Sequence, residues 1–143
     1  MTDNPPLIDT NILVYLFDAG TPEKRRISKD LVTACWRSEE CYSVSVQNLA
    51  EFSVVVTEKV ENPMPIEDVK RFITGIQNFD GWNVVSYGSK TILSAHDIRN
   101  RHHIHFWDAL LVATMIEYGI DTIITEDAHL RRVPGITAVN PYR

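Results

Sequence analysis

The chain has 143 residues, 44% of them hydrophobic, and a formal net charge of −5. That is room for one domain over residues 1–143, with a core large enough to need no metal or disulfide staple. The acidic balance argues against a coat for nucleic acid, whose affinity comes from Lys and Arg on phosphates, but it leaves open an enzyme that works through local carboxylates.

In chain order, Leu7–Ile8 reads as a short buried strand that stops at Asp9. Asn11–Asp18 looks helical, with Gly20 as its C-terminal stop. Thr21-Pro22-Glu23 combines a capping hydroxyl, a proline at the first helical position and an acid, and so starts the next helix. Its apolar positions Ile27, Leu31, Ala34 and Cys35 follow at helical spacing. Cys41–Val46 alternates and is β-branched, a second strand; Gln47–Lys59 is a helix ended by Asn62-Pro63. Pro65–Phe79 is helical, Trp82–Ser86 a third strand, and Ser89–Arg101 an amphipathic helix. Phe106–Tyr118 is a strongly apolar helix closed by Gly119; Asp121–Thr125 and Ile136–Val139 are the fourth and fifth strands. Strands alternating with helices imply an α/β fold with a mostly parallel sheet.

Nothing in this series looks like a targeting or anchoring segment. Met1–Pro6 is polar without a basic region, so no signal peptide is expected, and Ile12–Phe17 is too short to cross a membrane. Cys35 and Cys41 fit neither a disulfide framework nor a zinc knuckle, which points to a reducing cytoplasm.

Four acids stand at comparable topological places. Asp9 and Asp127 each follow a strand, where open parallel sheets bind their ligands, although each is also a good helix cap. Glu126 competes with Asp127 for the same role. Glu51 and Asp108 lie in apolar helical runs, Leu49-Ala50-Glu51-Phe52 and Phe106-Trp107-Asp108-Ala109. A carboxylate drawn inside is costly unless paired or metal-bound. Glu51 has the alternative of an exposed stripe beside Asn48 and Glu58, and Asp108 that of a first-turn acid on the helix dipole. Four converging carboxylates suit magnesium, which takes one or two carboxylates and fills its remaining positions with water and substrate oxygen. Left alone they would repel one another, so at least one should titrate high.

The segments Leu7-Ile8-Asp9-Thr10-Asn11-Ile12-Leu13, Ser45-Val46-Gln47-Asn48-Leu49-Ala50-Glu51-Phe52, Phe106-Trp107-Asp108-Ala109-Leu110-Leu111-Val112-Ala113 and Ile123-Ile124-Thr125-Glu126-Asp127 together resemble a PIN-domain nuclease. With no further segment to hold another domain, the chain resembles in particular the VapC-type toxins of toxin–antitoxin pairs. The resemblance implies a five-stranded parallel sheet in order 3-2-1-4-5 between helices. It also implies endonucleolytic cleavage of RNA dependent on Mg2+ or Mn2+. It places metal-binding acids at Asp9, Glu51, Asp108 and Asp127, with Asp9 and Asp108 foremost, and supporting polar groups at Asn11 and Thr125. Water would attack in line, expel the 3′-oxygen and leave a 5′-phosphate. A structured RNA such as a tRNA loop, an antitoxin covering the acidic mouth and a homodimer built on the helices after Pro22 and Pro65 are further implications.

Arg99, Arg101, Arg131 and Arg132 are the expected RNA contacts around that mouth, while Lys24, Arg25 and Arg26 read first as solvated charges. Arg101-His102-His103-Ile104-His105 departs from the resemblance and leaves the role of that loop open. Three rival readings follow. His102, His103 and His105 would serve a metal-independent ribonuclease or a zinc site; Asp9 would serve a phosphatase, although Asp9-Thr10-Asn11 lacks the second Asp; or the domain is an idle protein-binding module.

Overall fold

The computed structural model describes residues 4–143. Of the polar N-terminal stretch, Met1, Thr2 and Asp3 lie outside the described residues. The chain runs β1 (Leu7–Ile8), α1 (Thr10–Tyr15), α2 (Pro22–Trp36), β2 (Tyr42–Ser45), α3 (Val46–Glu58), α4 (Ile66–Asn78), β3 (Trp82–Val85), α5 (Ser89–His102), α6 (Phe106–Glu117), β4 (Thr122–Ile124), a 3₁₀ turn (Ala128–Arg132) and β5 (Thr137–Val139). All strand pairs are parallel, and the sheet order is β3-β2-β1-β4-β5, as the family resemblance implies.

Side chains alternate across the short strands and so feed two apolar layers. Leu7 and Ile123 face one layer, built with Leu110, Met115 and Ala95 of α5 and α6. Ile8 and Ile124 face the other, with Leu13, Val32, Phe52 and Ile76 of α1 to α4. Leu7 pairs with both Ser43 and Ile123, so β1 is the strand from which the chain departs in opposite directions. A sheet with that switch opens a crevice beyond the carboxyl ends of β1 and β4.

Several ends follow the sequence, and several do not. Gly119 takes φ +67, and Ile120 N donates to Met115 O at 2.8 Å, a left-handed stop for α6 as its position predicts. Thr21 does not cap α2 with its hydroxyl, which is bonded back to Asp18 O at 3.5 Å. The start is secured instead by Pro22, which has no N–H to satisfy, and by Thr21 O accepting from Arg25 N at 2.8 Å. The first helix stops at Tyr15 and is capped by Leu16, so Gly20 belongs to the following turn. The third helix ends at Glu58, ahead of Asn62-Pro63, because Met64 N donates to Val56 O at 2.8 Å and folds the chain back over the helix end. Both cysteines are free, Cys35 buried in α2 and Cys41 exposed. No helix among the described residues is long and apolar enough to cross a membrane.

Candidate functional site

A cavity of about 700 Å³ opens at the crevice beyond β1 and β4, and Asp9, Asn11, Glu51 and Asp127 are in its wall. Asp9 arrives there because β1 ends at Ile8 and its own N–H still bonds Ile124 O at 3.0 Å across to β4. Its carboxylate is then held from three sides. Thr125 Oγ1 donates to Oδ2 at 2.7 Å, Thr10 N to Oδ1 at 2.8 Å, and Asn48 Nδ2 reaches Oδ1 at 3.4 Å. Burial is the largest influence and pushes Asp9 up to about 6; the Thr125 and Thr10 bonds act against it, and the charges of Glu51 and Asp108 add to it. Mutual repulsion, which the sequence brought forward as the cause, is thus secondary to desolvation.

Glu51 is partly buried on α3. Thr10 Oγ1 donates to its Oε1 at 2.7 Å, and Gln47 Nε2 stands 3.4 Å from its Oε2. The exposed stripe of α3 runs through Ala50, Val54 and Glu58, whereas Asn48 is fully buried, so Glu51 does not share a wet stripe with Asn48. Asp108 sits half-buried in the first turn of α6. Burial raises its pKa first, Asp127 and Glu51 raise it further, and His105 and His129 pull the other way. Asp108 is not in the cavity lining, but it lies within electrostatic reach of Asp9, Glu51 and Asp127, and Asp9 within reach of Glu51. Among the described residues, no group of three Asp, Glu, His or Cys side chains is placed to hold a metal ion.

Of the adjacent pair after β4, Asp127 lines the cavity. It also caps the 3₁₀ turn, accepting from His129 N at 2.9 Å. Glu126 points its carboxylate elsewhere, to Lys24 Nζ at 2.8 Å and to the Tyr15 hydroxyl. Burial works to raise Glu126, but those two partners outweigh it and hold the carboxyl below its usual range. Lys24 is therefore not a free solvated charge: it pairs with Glu126 and lies over the Tyr15 and Tyr142 rings at 5.1 and 5.5 Å.

Thr125 supports Asp9 directly, and its Oγ1 also accepts from Asp127 N at 2.9 Å, tying two of the acids together. Asn11 lines the cavity, and its buried Oδ1 has no partner. Three supporting residues escape the sequence reading: Thr10, Gln47 and Asn48. The signal for Asn48 is legible in hindsight, since Ser45-x-x-Asn48 opens α3 with a reciprocal cap. Asn48 Oδ1 accepts from Ser45 N at 3.1 Å, and Asn48 N donates to Ser45 Oγ at 3.0 Å.

The four expected RNA-contact arginines are not in the wall of this cavity, whose lining includes Lys59 as its one basic residue. Arg99 lines a separate hollow of about 460 Å³ with His96, Asn100, His103 and Ile104. Arg132 Nη1 stands 3.5 Å from His103 O beside it, and Arg101 and Arg131 are exposed. His103 ends α5 in the left-handed region at φ 55, and Ile104 plugs the core, so the histidine segment joins α5 to α6. His102, His103 and His105 are absent from the cavity lining.

The fold has solved counterparts. A toxin–antitoxin complex from Klebsiella pneumoniae contains a chain 22% identical, with 96% of this chain and 98% of that one covered at a TM-score of 0.67. The Mycobacterium tuberculosis toxin VapC20, described as cleaving the sarcin–ricin loop, is 18% identical over 87% of this chain and 92% of its own, at 0.62. VapBC2 from Rickettsia felis, bound to a DNA fragment from its promoter, is 16% identical over 92% and 95%, also at 0.62. No curated protein matches the sequence significantly. The family model for the PIN domain matches residues 7–136, from the first residue of β1 to the threshold of β5, and by that match the chain belongs to the PIN-domain family.

Proposed function

We propose that this PIN-domain protein is a metal-dependent endoribonuclease, one domain over residues 1–143, acting in the cytoplasm as the toxin of a toxin–antitoxin pair. The observation that carries the reading is that Asp9, Glu51 and Asp127, from separated segments, line one crevice, with Asp108 outside that lining but within electrostatic reach of all three. The donor set is all oxygen, which suits Mg2+ or Mn2+. Asp9, raised by burial and by two neighbouring carboxylates, is a group that a cation would return to its charged form. Asp9 and Asp108 would hold the ion, with Glu51 and Asp127 completing the site through water. Such an ion supplies a more acidic water and a partner for phosphate charge.

The protein's own groups supply the placement. Thr125, Thr10 N and Asn48 fix both oxygens of Asp9 in direction. Thr10 Oγ1 holds Glu51 Oε1 and leaves Oε2, with only the longer Gln47 contact, to orient a water for in-line attack. Lys59 offers a cation to a neighbouring phosphate, and Arg99, Arg101, Arg131 and Arg132 a flank for more distant strand. Similarity to chains from toxin–antitoxin complexes supports an antitoxin partner over the acidic mouth. Homodimer formation is part of the same reading, with Ile66 of α4 leaving 61% of its surface exposed.

Expression of wild type against Asp9→Ala and Asp108→Ala, with mapping of new RNA 5′ ends, tests it. Discrete 5′-phosphate ends in wild type alone, lost in EDTA and restored by Mg2+, are the expected result. Full cleavage in excess EDTA, or 2′,3′-cyclic phosphate products, would overturn it in favour of histidine chemistry.

A further inference from the structure

One wall of the cavity remains unexplained by the acids. Val14, Val54, Val55, Tyr87 and Trp107 line the same cavity as the carboxylates and make its surface predominantly apolar. Trp107 leaves 57% of its surface exposed and Tyr87 36%. Of the three tryptophans, Trp82 is buried and Trp36 partly so; Trp107 alone is exposed. An indole that wet, one residue before Asp108, adds little to the core beyond its edge contact with Phe106 at 5.3 Å. Its backbone is nonetheless held in place, because Gln47 Nε2 donates to Trp107 O at 2.9 Å while reaching Glu51 at 3.4 Å. The same Gln47 is 5% exposed, and its buried Oε1 has no partner.

We propose that Trp107 and Tyr87 form the seat of one unpaired RNA base beside the acid cluster, with Gln47 coupling that seat to Glu51. The inference rests on the ribonuclease reading above. Its physical basis is the mismatch between charge and surface. Three acids and one lysine in the lining give little hold on phosphates when no cation is bound, which favours a contact with something neutral and flat. A nucleobase is both, and stacking on an aromatic ring tolerates any base because every base has a π-face. In a duplex those faces are covered by neighbouring pairs, so only an unstacked base can use the indole.

The test uses the full chain and an octamer of riboadenylate carrying one 2-aminopurine, in EDTA, read by 2-aminopurine quenching. Trp107→Ala should weaken binding by about tenfold or more, the size of one lost base stack, with Tyr87→Ala weaker in effect. Trp107→Phe should stay within about threefold. Leu93→Ala, 68% exposed on α5 and not in the cavity lining, should bind as wild type. Equal binding by wild type and Trp107→Ala would overturn the seat, as would an equal loss in Leu93→Ala. A Trp107→Ala change in oligomeric mass with octamer binding intact would also overturn it, assigning the surface to a second copy. Failure of the broader reading looks different. If Trp107→Ala loses the octamer while wild type cleaves no RNA in Mg2+, the seat stands and the ribonuclease falls. If cleavage is metal-dependent and Trp107→Ala binds normally, the ribonuclease stands and the seat falls.

Discussion

At the scale of single residues, Asp9 shows how a site can oppose the fold that carries it. Its carboxyl is pushed from an ordinary value of 3.8 up to about 6, chiefly because burial disfavours the charge. Three donors around it soften that penalty without removing it. The sign of the pH effect follows. Between about 4 and 6 the unfolded chain has ionised Asp9 while the folded chain keeps it neutral, so folding is favoured toward low pH. The loss builds up across that interval and is complete once pH passes 6, where the folded protein has ionised it too; it amounts to about 3 kcal/mol. Asn at this position mimics the neutral acid. In EDTA, Asp9→Asn should therefore gain on wild type as pH climbs from 5 to 7.5, by about 1.4 kcal/mol, the part of that loss that lies above pH 5. Urea unfolding at the two pH values measures it; a stability difference that does not change with pH would show that Asp9 is not the titrating group.

At the scale of elements, α3 is the part that joins site and core. Its first turn presents Asn48 inward, where the side chain caps its own helix and also donates to Thr10 Oγ1 at 3.0 Å. One amide thus spans β2, α3 and the start of α1. Removing it in Asn48→Ala takes away a cap and leaves the buried Ser45 N–H and hydroxyl donors without their acceptor and Thr10 Oγ1 without its donor, for a loss of about 1–3 kcal/mol. Cleavage should fall as well, because Thr10 and Asp9 lose a common support. Thermal unfolding and initial rates with a fixed RNA substrate separate the two effects, and a variant as stable and active as wild type would refute the linkage. This element also marks the boundary of what sequence can reveal. Asp9 and Asp127 were legible because strand ends in a parallel sheet point to one edge whatever packs around them. The direction of a side chain around an apolar helix was not: the wet stripe that offered Glu51 an alternative beside Asn48 does not exist, since Asn48 is buried, and Val54 instead leaves 42% of its surface exposed. Nor could spacing show that Arg99 and Arg132 gather near His103 on a different hollow, since that depends on how α5 meets the 3₁₀ turn.

At the scale of the whole molecule, an acidic chain carries an acidic crevice, and the two facts act together. A net charge of −5 already disfavours compactness, and the crevice concentrates part of that repulsion where burial strengthens it. A divalent cation in the crevice relieves both terms, whereas monovalent salt only screens the outer surface. Mg2+ should therefore raise the unfolding temperature beyond the effect of NaCl at equal ionic strength. A ligand at a hundred times its Kd adds about 2.7 kcal/mol, several degrees for a chain of this length. The double variant Asp9→Asn, Asp108→Asn keeps the overall shape and most of the surface charge but discards the pair expected to hold the ion. Its unfolding temperature should respond to Mg2+ and to matched NaCl alike. An Mg2+-specific rise that survives in the double variant would place the cation elsewhere on the molecule and separate the acid cluster from metal binding, since screening and site occupancy predict opposite outcomes in this one comparison.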